Sequence, residues 1–310
     1  MVVENKLPSR GRDIALVLSA LLFATVMHMY FWRADWYAAM TVWPVWFWLG
    51  PGLLLVRIGW RRRWGWVLTG LWGIGVLGFM DEPRSLLRTR HETGTLRVVS
   101  LNCAGEDAAA AEIAAYHPDI VLIQESPSTK ALQDLARVIG GALIVEPDRT
   151  LIVRGEVTPV TLPKSTRAVR ARVRTAGVSA NVVCLRLWPH PMGDDFWSPE
   201  LWKAHAAAER EQRDALQAII NDLPADEPVI VGGDFNAPVG DPVYRLMPAG
   251  LRDSFREAGS GWGNTLPNGF PLWRIDQIWI SRHFCATSVV AQKTKHSDHR
   301  LVVCELRLAD

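Results

Sequence analysis

The stretch that decides the fold is PVIVGGDFNAPVGDP, from Pro228 to Pro242. Its apolar residues Val229–Val231 lead into two glycines, which is typical of a short buried strand. Asp234 and Asn236 follow at once, so the strand delivers a carboxylate and a carboxamide into a loop. Taken alone, the same letters also fit an ordinary Asx-turn after a strand. The remainder of the chain has to distinguish between these two interpretations.

Other apolar runs carry a polar residue at one end in the same way. LRVVSL stops at Asn102, and DIVLIQ stops at Glu125. RIDQIWIS contains Asp276 near its start, and KHSDHRLVV places Asp298 and His299 just before a strand. Each ending alone is weak, because a Glu or Asp after a strand is most often a solvated end residue. Their joint order along one chain predicts a shared site at the edge of a sheet.

The region that contains these runs reads as alternating strands and helices. ALIVEP with RTLIVRG, and RAVRARVRTAG with VSANVVCLRLW, each read as a hairpin. In the second hairpin, alternation predicts a solvated face for Arg170, Arg172 and Arg174. Helices are expected at 108–117, 130–141 and 199–223. The fold class is therefore α/β, with two packed sheets flanked by helices.

The first 90 residues differ sharply in composition from the rest of the chain. They hold nine of the 15 tryptophans and carry 11 Lys+Arg against 5 Asp+Glu, a net of +6. Residues 91–310 carry 23 against 27, a net of −4. Nothing in that second region reads as a basic stripe for nucleic acid.

Three uncharged apolar runs predict a membrane region in residues 1–80, with spans at about 14–32, 36–56 and 64–80. A hydrocarbon core of ~30 Å needs about 20 such residues in a helix. A cleaved signal peptide is the alternative for the first run, but two further runs follow it and no small-residue cleavage site is evident. Residues 81–95 are polar and are predicted to be a linker to a catalytic domain over 96–310.

The basic residues predict the orientation of these spans. Lys6, Arg10 and Arg12 precede the first run, and Arg57 with 61–63 fills the second loop. The positive-inside rule then places the N-terminus in the cytoplasm. Three crossings put the domain over 96–310 on the extracytoplasmic face, as part of an integral membrane protein of a bacterial inner or cell membrane type.

The strand-end residues suggest metal chemistry. Carboxylate and carboxamide oxygens gathered at one sheet edge are the hard ligands that Mg²⁺ or Mn²⁺ prefers. An Asp beside such an ion can accept a proton from water, and a protonated His can stabilise charge on a phosphoryl oxygen. The four cysteines show no C-x-x-C spacing, so they predict no zinc site, and their disulfide state stays open.

The five motifs together resemble the endonuclease/exonuclease/phosphatase superfamily of metal-dependent phosphoesterases. The resemblance covers roughly residues 95–308 and rests on motifs in one order: LNCAG, HPDIVLIQES, VGGDFNAP, WRIDQIWIS and HSDHRLVV. It implies a four-layer α/β sandwich in which two mixed sheets are flanked by helices. Membrane-tethered bacterial relatives look similar, although the three predicted spans lie outside the matched region.

The resemblance also implies roles for single residues. Glu125 looks like the principal ligand of Mg²⁺ or Mn²⁺, with Asn102 beside it and Asp298 as a further contributor. Asp234 would orient or deprotonate the attacking water. The other implied roles are these: Asn236 hydrogen-bonds a phosphoryl oxygen, His299 meets the phosphate from the opposite side, and Asp276 orients and charges His299.

One departure from the family concerns the strand before the long helix. Many members carry a THL-like motif there, and its His contacts the phosphate. Here the strand reads VVCLRLWPH, so Arg186 takes that place. Arg186 can contact phosphate but cannot act as an acid, with a structural salt bridge as the alternative. His190, four residues on, is the other candidate for phosphate contact.

Two classes of function follow. The first is a membrane-anchored phosphoesterase that acts on a phospholipid headgroup or another envelope phosphoester, with an extracytoplasmic nuclease as the alternative. The net −4 argues mildly against strong non-specific affinity for nucleic acid. The second class is a non-catalytic binding module on the same fold, favoured only by the missing histidine. No pattern in the sequence indicates a protein partner.

Overall fold

The computed structural model describes residues 9–60, 63–88, 94–191 and 198–309. They form an N-terminal helical bundle followed by an α/β domain. The helices are α1 Ser9–Trp32, α2 Ala38–Thr41, α3 Leu49–Gly59, α4 Arg63–Gly78, α5 Glu82–Leu86, α6 Asp107–Ile113, α7 Thr129–Ile139, α8 Pro199–Asn221 and α9 Ser254–Ala258. The strands are β1 Leu96–Asn102, β2 Ile120–Gln124, β3 Ala142–Glu146, β4 Arg149–Val153, β5 Glu156–Val160, β6 Ala168–Thr175, β7 Val178–Arg186, β8 Val229–Asp234, β9 Leu251–Asp253, β10 Asp276–Ser281, β11 Phe284–Gln292 and β12 Leu301–Leu308.

The strands form two six-stranded mixed sheets. The first has the order β11-β12-β1-β2-β4-β3, and the second has the order β5-β6-β7-β8-β10-β9. Each sheet has one parallel pair, β1 with β2 and β7 with β8, and every other pairing is antiparallel. The carboxyl ends of parallel strands lie at one edge of a sheet. Asn102 and Arg186 therefore end their strands beside Gln124 and Asp234, respectively.

Apolar side chains divide the domain into layers. Val98, Leu122 and Ile230 belong to the core cluster between the two sheets. On the outer face of the first sheet, residues such as Val99 pack with α6 and α7, while Leu185 on the second sheet packs with α8. The expected arrangement of two packed mixed sheets flanked by helices is confirmed.

The two glycines before Asp234 each meet a steric demand. A Cβ at Gly232 would lie 2.6 Å from the Leu122 side chain of the facing sheet, so the glycine permits close sheet packing. Gly233 has a φ of +135°, and a Cβ there would lie 2.1 Å from the carbonyl oxygen of Leu185 on β7. Only glycine adopts such a backbone readily. This pair sets the path of the chain into Asp234.

The prediction of three membrane spans is wrong, because the second and third apolar runs do not form single straight helices long enough to cross a membrane. Among the described residues, only the helix Arg10–Trp32 is long and apolar enough to cross a membrane by itself. The second run is broken into Asp35–Thr41 and Val45–Gly59, which differ in direction by 70°. Pro44 lies at the break, where it lacks an N–H and disfavours the α conformation of the residue before it. The third run forms α4, whose 16 residues span about 24 Å.

The helical bundle has its own core and touches the domain at one end. Trp72 on α4 donates to Ser19 on α1, and Ser19 donates to the carbonyl of Gly52 on α3. The carboxyl ends of α1 and α4 both face the domain. After α1, Asp35 pairs with Arg213, Arg33 Nη1 donates to Val239 O at 3.1 Å, and Arg245 donates to Trp32 O. After α4, Asp81 Oδ2 accepts from Arg274 Nη2 at 3.0 Å and from Arg256 Nε at 2.9 Å.

The predicted linker over 81–95 contains the short helix α5, and residues 89–93 of it lie outside the described part. Ser85 Oγ donates to the carbonyl of Gly261 at 2.8 Å, so this segment packs on the domain. Residues 61 and 62 of the basic loop are also outside the described ranges. On β6, Arg172 and Arg174 are exposed as expected, but Arg170 is buried against Asp222 and Asn181.

Candidate active site

The ends of the parallel strands bring three predicted residues together. The amide nitrogen Nδ2 of Asn102 donates to Glu125 Oε1 and to Asp234 Oδ2, at 3.0 Å in both cases. Asn102 ends β1, Glu125 follows β2, and Asp234 ends β8, so side chains from both sheets meet here. Asn102 and Asp234 are buried, whereas Glu125 is partly open to solvent.

Asn236 joins the same group from the loop after β8. Its backbone N–H donates to Asp234 Oδ1 at 2.8 Å, and its Nδ2 donates to Asp234 Oδ2 at 3.1 Å. Asn236 has a φ of +50° and Glu125 has a φ of +43°. This left-handed region is uncommon for residues other than glycine and least strained for Asn and Asp. Tight turns thus aim both side chains back toward the strand ends.

His299 and Asp276 form a buried pair beside Asp234. His299 Nδ1 donates to Asp276 Oδ2 at 2.8 Å. Burial alone would lower the pKa of His299, but the Asp276 carboxylate outweighs it and raises the pKa to about 10. The ring is therefore charged at neutral pH. Ser297 Oγ accepts from His299 N at 2.9 Å and donates to the Asn102 carbonyl at 2.6 Å, which fixes this loop against β1.

Asp234 lies in an environment that disfavours its charge. Burial, and then the neighbouring Asp276 carboxylate, raise the pKa of Asp234 above its usual range. The charged His299 and the hydrogen bonds from Asn236 and Asn102 oppose that shift. A carboxylate with a raised pKa can accept a proton more readily than one in water.

Arg186 also reaches this group. Its Nη2 lies 2.6 Å from Glu125 Oε1, its Nη1 lies 2.8 Å from Asp148 Oδ2, and its Nε lies 3.9 Å from Asp234 Oδ2. The residue at the place of the family's histidine is thus a cation held between acidic groups. It bonds Glu125 directly and lies near Asp234 without a hydrogen bond to it.

The donor atoms fit a divalent cation. One ligand atom from each of Asp234, Asp276 and His299 lies within 4.8 Å of the other two. The charged His299 has no free lone pair for an ion, so the carboxylates are the candidate donors. Asp276 Oδ1 is buried and has no hydrogen-bond partner among the described residues. The Glu125 carboxylate adjoins the group through Asn102, whose Nδ2 bonds both Glu125 and Asp234. A set rich in hard oxygen donors matches the preference of Mg²⁺ or Mn²⁺.

The side chains of two predicted site residues make no hydrogen bond to this group among the described residues, although the Asp298 carboxylate lies near enough to His299 to help raise its pKa. Asp298 is exposed, and its backbone carbonyl accepts from Asn268 N at 2.6 Å. His190 is buried with Glu209 and Asp241 in a second cluster on the far side of the Asn236 loop. The sequence analysis missed this cluster. A signal was present on α8, where Glu209 and Gln212 occupy the stripe that continues as Ala215, Leu216 and Ile219 and faces the core.

The four cysteines are free thiols. Burial raises the pKa of the Cys184 thiol to about 12, which makes it inert as a nucleophile.

The sequence pattern of the Endonuclease/Exonuclease/phosphatase family matches residues 99–299. The uncharacterized protein YbhP of Escherichia coli (strain K12) is 34% identical over 112 residues, which are 35% of this chain and 43% of YbhP. The match thus spans less than half of that relative's length.

Solved structures share the fold at lower identity. A mannosyl-6-phosphatase of Bacteroides thetaiotaomicron VPI-5482 is 19% identical, with 68% of this chain and 99% of that chain covered and a TM-score of 0.52. TDP2 of D. rerio, complexed with a single-strand DNA product, is 18% identical, with 68% and 98% covered and a TM-score of 0.51.

Proposed function

This chain belongs to the endonuclease/exonuclease/phosphatase family, and on that premise we propose that it is a divalent-metal-dependent phosphoesterase. It would hydrolyse a phosphoester by attack of water in line with the leaving oxygen. The observation that carries the proposal is the meeting of Asn102, Glu125 and Asp234 with the His299–Asp276 pair at one edge of the two sheets. Chance packing of five polar strand-end residues does not account for it.

Glu125 and Asn102 would hold Mg²⁺ or Mn²⁺, with Asp234 beside them. When bound, such an ion polarises a phosphoryl oxygen and offsets its developing charge. Asp298 is exposed, so we assign it at most a contact through solvent. The remaining chemistry belongs to side chains of this chain.

Asp234 orients the attacking water and accepts its proton. Asn236 lies next to it, and its Nδ2 donates to the Leu187 carbonyl and to Asp234 Oδ2; a contact with a phosphoryl oxygen would replace the bond to Asp234. His299 is charged, because Asp276 holds its Nδ1, and so Nε2 can donate to the oxygen on which negative charge develops. Positioning these groups on strand ends lowers the entropic cost of the reaction.

A second candidate function, a binding module without catalysis, is favoured by one observation. Arg186 bonds Glu125, the residue that should bind the metal most strongly. If that ion pair persists, it competes with any cation. The Arg186→Ala variant tests this directly, because it frees Glu125 and should tighten Mg²⁺ binding roughly tenfold, equivalent to ~1.4 kcal/mol.

We further propose that the N-terminal bundle anchors the domain to a membrane. All but five of the exposed large hydrophobic side chains of the described residues lie within residues 9–88; the exceptions are Val138, Val145, Trp188, Phe270 and Leu308. A soluble protein rarely exposes so much apolar surface in one region. The basic residues Arg10, Arg12, Arg57 and Arg63 lie at the end of the bundle away from the domain, which agrees with a cytoplasmic N-terminus and an extracytoplasmic domain.

The substrate class follows from the anchor and from a groove of about 760 Å³. The groove is lined by Arg149, Arg167 and Trp188, and Arg167 stacks on the Trp188 ring with 3.8 Å from Cζ to the centroid. Arg167 and Arg186 share Asp148, so the groove leads to the site. An anionic headgroup or another envelope phosphoester fits it. Nucleic acid is the alternative, since one structural relative was solved with DNA.

Hydrolysis of bis-p-nitrophenyl phosphate and p-nitrophenyl phosphate tests the proposal. The full chain in detergent should turn over one reporter with Mg²⁺ or Mn²⁺ and lose this activity with EDTA. Glu125→Ala and His299→Ala should abolish turnover, while His296→Ala, an exposed residue of the same loop, should not. If no reporter, anionic phospholipid or single-stranded DNA is hydrolysed and calorimetry detects no Mg²⁺ binding, the binding-module function replaces this one.

Fractionation of cells tests the anchor. The full chain should stay in the membrane pellet after alkaline carbonate washing and move to the supernatant only with detergent. Release by carbonate alone would contradict an integral anchor.

A further inference from the structure

A second buried group of ionisable side chains lies outside the candidate active site. We call it the α8 cluster, and it consists of His190, Glu209 and Asp241, with His205 stacked against His190. Glu209 has no exposed surface, and the other three are 2–6% exposed. The proposed phosphoesterase chemistry uses none of these residues.

The cluster lacks the hydrogen bonds that buried charges normally make. Neither ring nitrogen of His190 and neither oxygen of Glu209 has a hydrogen-bond partner among the described residues, and Nδ1 of His205 has none either. Leaving one buried polar group unpaired costs about 1–3 kcal/mol, and a charged group costs more. Several such atoms that face one another point to a ligand between them.

The distances fit a shared cation better than direct pairing. His190 Nε2 lies 3.7 Å from Glu209 Oε2 and 3.5 Å from Asp241 Oδ2. Charge-assisted hydrogen bonds would bring these atoms to about 2.7–2.9 Å. Ligands at about 2.0–2.2 Å from a tetrahedral ion lie roughly 3.4 Å from one another. The observed separations are close to that value.

The chain holds each ligand atom in place. His205 and Glu209 lie one helical turn apart on α8, on the same face. Asp241 Oδ1 accepts from Val243 N at 3.0 Å, which leaves Oδ2 facing His190. Arg213 lies 3.7 Å from Glu209 Oε1, so Oε2 is free to face the cluster.

We propose that the α8 cluster is a structural site for a divalent transition-metal ion of the Zn²⁺ class, bound by His190, Glu209 and Asp241. Two carboxylates neutralise the ion, and one imidazole favours Zn²⁺ over Mg²⁺ or Ca²⁺. His205 packs on His190 and positions it.

The site would join three segments that already pack together in one buried apolar cluster. His190 lies after β7, Glu209 lies on α8, and Asp241 lies in the loop that begins with Asp234 and Asn236. Gln212, one turn beyond Glu209, donates to the carbonyls of Trp188 and Asn236. A bound ion would therefore hold the loop of the candidate active site against α8.

Metal content of the full chain in detergent is the test. The Glu125→Gln background removes the main ligand of the active-site ion, so failure of the phosphoesterase proposal does not affect the result. After treatment with a chelator and dialysis against Zn²⁺, this protein should retain one zinc ion per chain by mass spectrometry. His190→Ala and Glu209→Gln should lose it, whereas Glu211→Gln, on the exposed face of α8, should keep it.

Two further measurements, Co²⁺ absorption and the melting temperature, distinguish loss of the metal site from misfolding of a variant. Co²⁺ in the same site should give visible d–d absorption that His190→Ala abolishes, and Zn²⁺ should raise the melting temperature of the parent but not of Asp241→Asn. Zinc content and melting response that are unchanged in all three variants would overturn the proposal. So would a Glu125→Gln parent that binds no Zn²⁺, in which case the cluster is an ion pair alone.

Discussion

The two buried histidine–carboxylate clusters differ in how their polar atoms are partnered. In the candidate active site, His299 is 2.8 Å from Asp276, and Asp234 accepts hydrogen bonds from Asn236 and Asn102. In the α8 cluster, His190 and Glu209 make no hydrogen bond within the described residues. Hydrogen bonds within the protein thus organise the first group. In the second group, buried polar atoms that lack such bonds face one another.

The largest expected effect is on turnover. Asp234→Asn keeps the shape of the side chain but removes the proton acceptor, so the rate should fall by about 10²–10⁴. Steady-state kinetics on the preferred reporter measures it. The matched change in the other cluster, Asp241→Asn, should alter the rate far less. Equal losses in both variants would mean that the clusters do not have separate roles.

The next largest effect is on stability, when the glycine before Asp234 or the glycine before Asp241 is replaced by alanine. Gly233→Ala drives a Cβ against the Leu185 carbonyl and should cost roughly 4 kcal/mol or more. Gly240 also has a positive φ, +81°, but the atoms nearest to a Cβ there belong to the Arg33 guanidinium, at the far end of a long side chain, and not to the backbone. Gly240→Ala should then cost about 1–2 kcal/mol. Thermal unfolding compares the two, with Gly250→Ala as a neutral control; similar costs at 233 and 240 would contradict the steric account.

Removing one carboxylate from each cluster, in protein stripped of metal, sharpens the comparison. Asp276→Asn leaves the charged His299 without its partner and should destabilise the fold by about 2–3 kcal/mol. Glu209→Gln removes a carboxylate that has no hydrogen bonds, so stability should change by less than about 1 kcal/mol or even increase. Chemical denaturation after chelation measures both. A large loss in Glu209→Gln would show that the protein already balances that charge.

A half-buried carboxylate outside both clusters, Asp81, provides the smallest effect and a reference for both. Burial would raise the pKa of Asp81, but Arg274 and Arg256 outweigh it and lower the pKa. A carboxyl whose folded pKa lies below its unfolded value of about 3.9 stabilises the fold above that pH, and this contribution is lost as the pH falls through the folded pKa.

The melting temperature of Asp81→Asn should therefore lie below that of the parent at neutral pH. The melting temperatures of the two proteins should converge as the solution is acidified below about pH 4. A difference that persists unchanged into acid would mean that Asp81 acts through packing and not through charge.

The sequence was sufficient for the strand ends and for two of the hairpins. Short apolar runs that stop at Asn102, Glu125 and Asp234 can be read locally, because buried strands need continuous apolar residues and their polar ends must leave the core. The same holds for the hairpins that became β3–β4 and β6–β7. Roles of the single site residues remain predictions.

Other features depend on contacts between distant segments. The Arg186–Glu125 bond joins residues 61 positions apart, and the α8 cluster collects residues from three segments. The spacing of residues along the chain does not predict these long-range contacts. The exception is His205 and Glu209, whose spacing of four predicts that they share one face of a helix. The length of an apolar run likewise did not reveal that Pro44 divides it.

The junction between the bundle and the domain has a consequence for how a substrate is found. Both α1 and α4 end against the domain, and Arg213, Arg245 and Arg274 clamp those ends directly. With the bundle in a bilayer, as proposed, such a clamp fixes the height of the candidate active site above the lipid. The protein would then search by lateral diffusion in two dimensions, and its reach would be set by geometry and not by the swing of a flexible stalk.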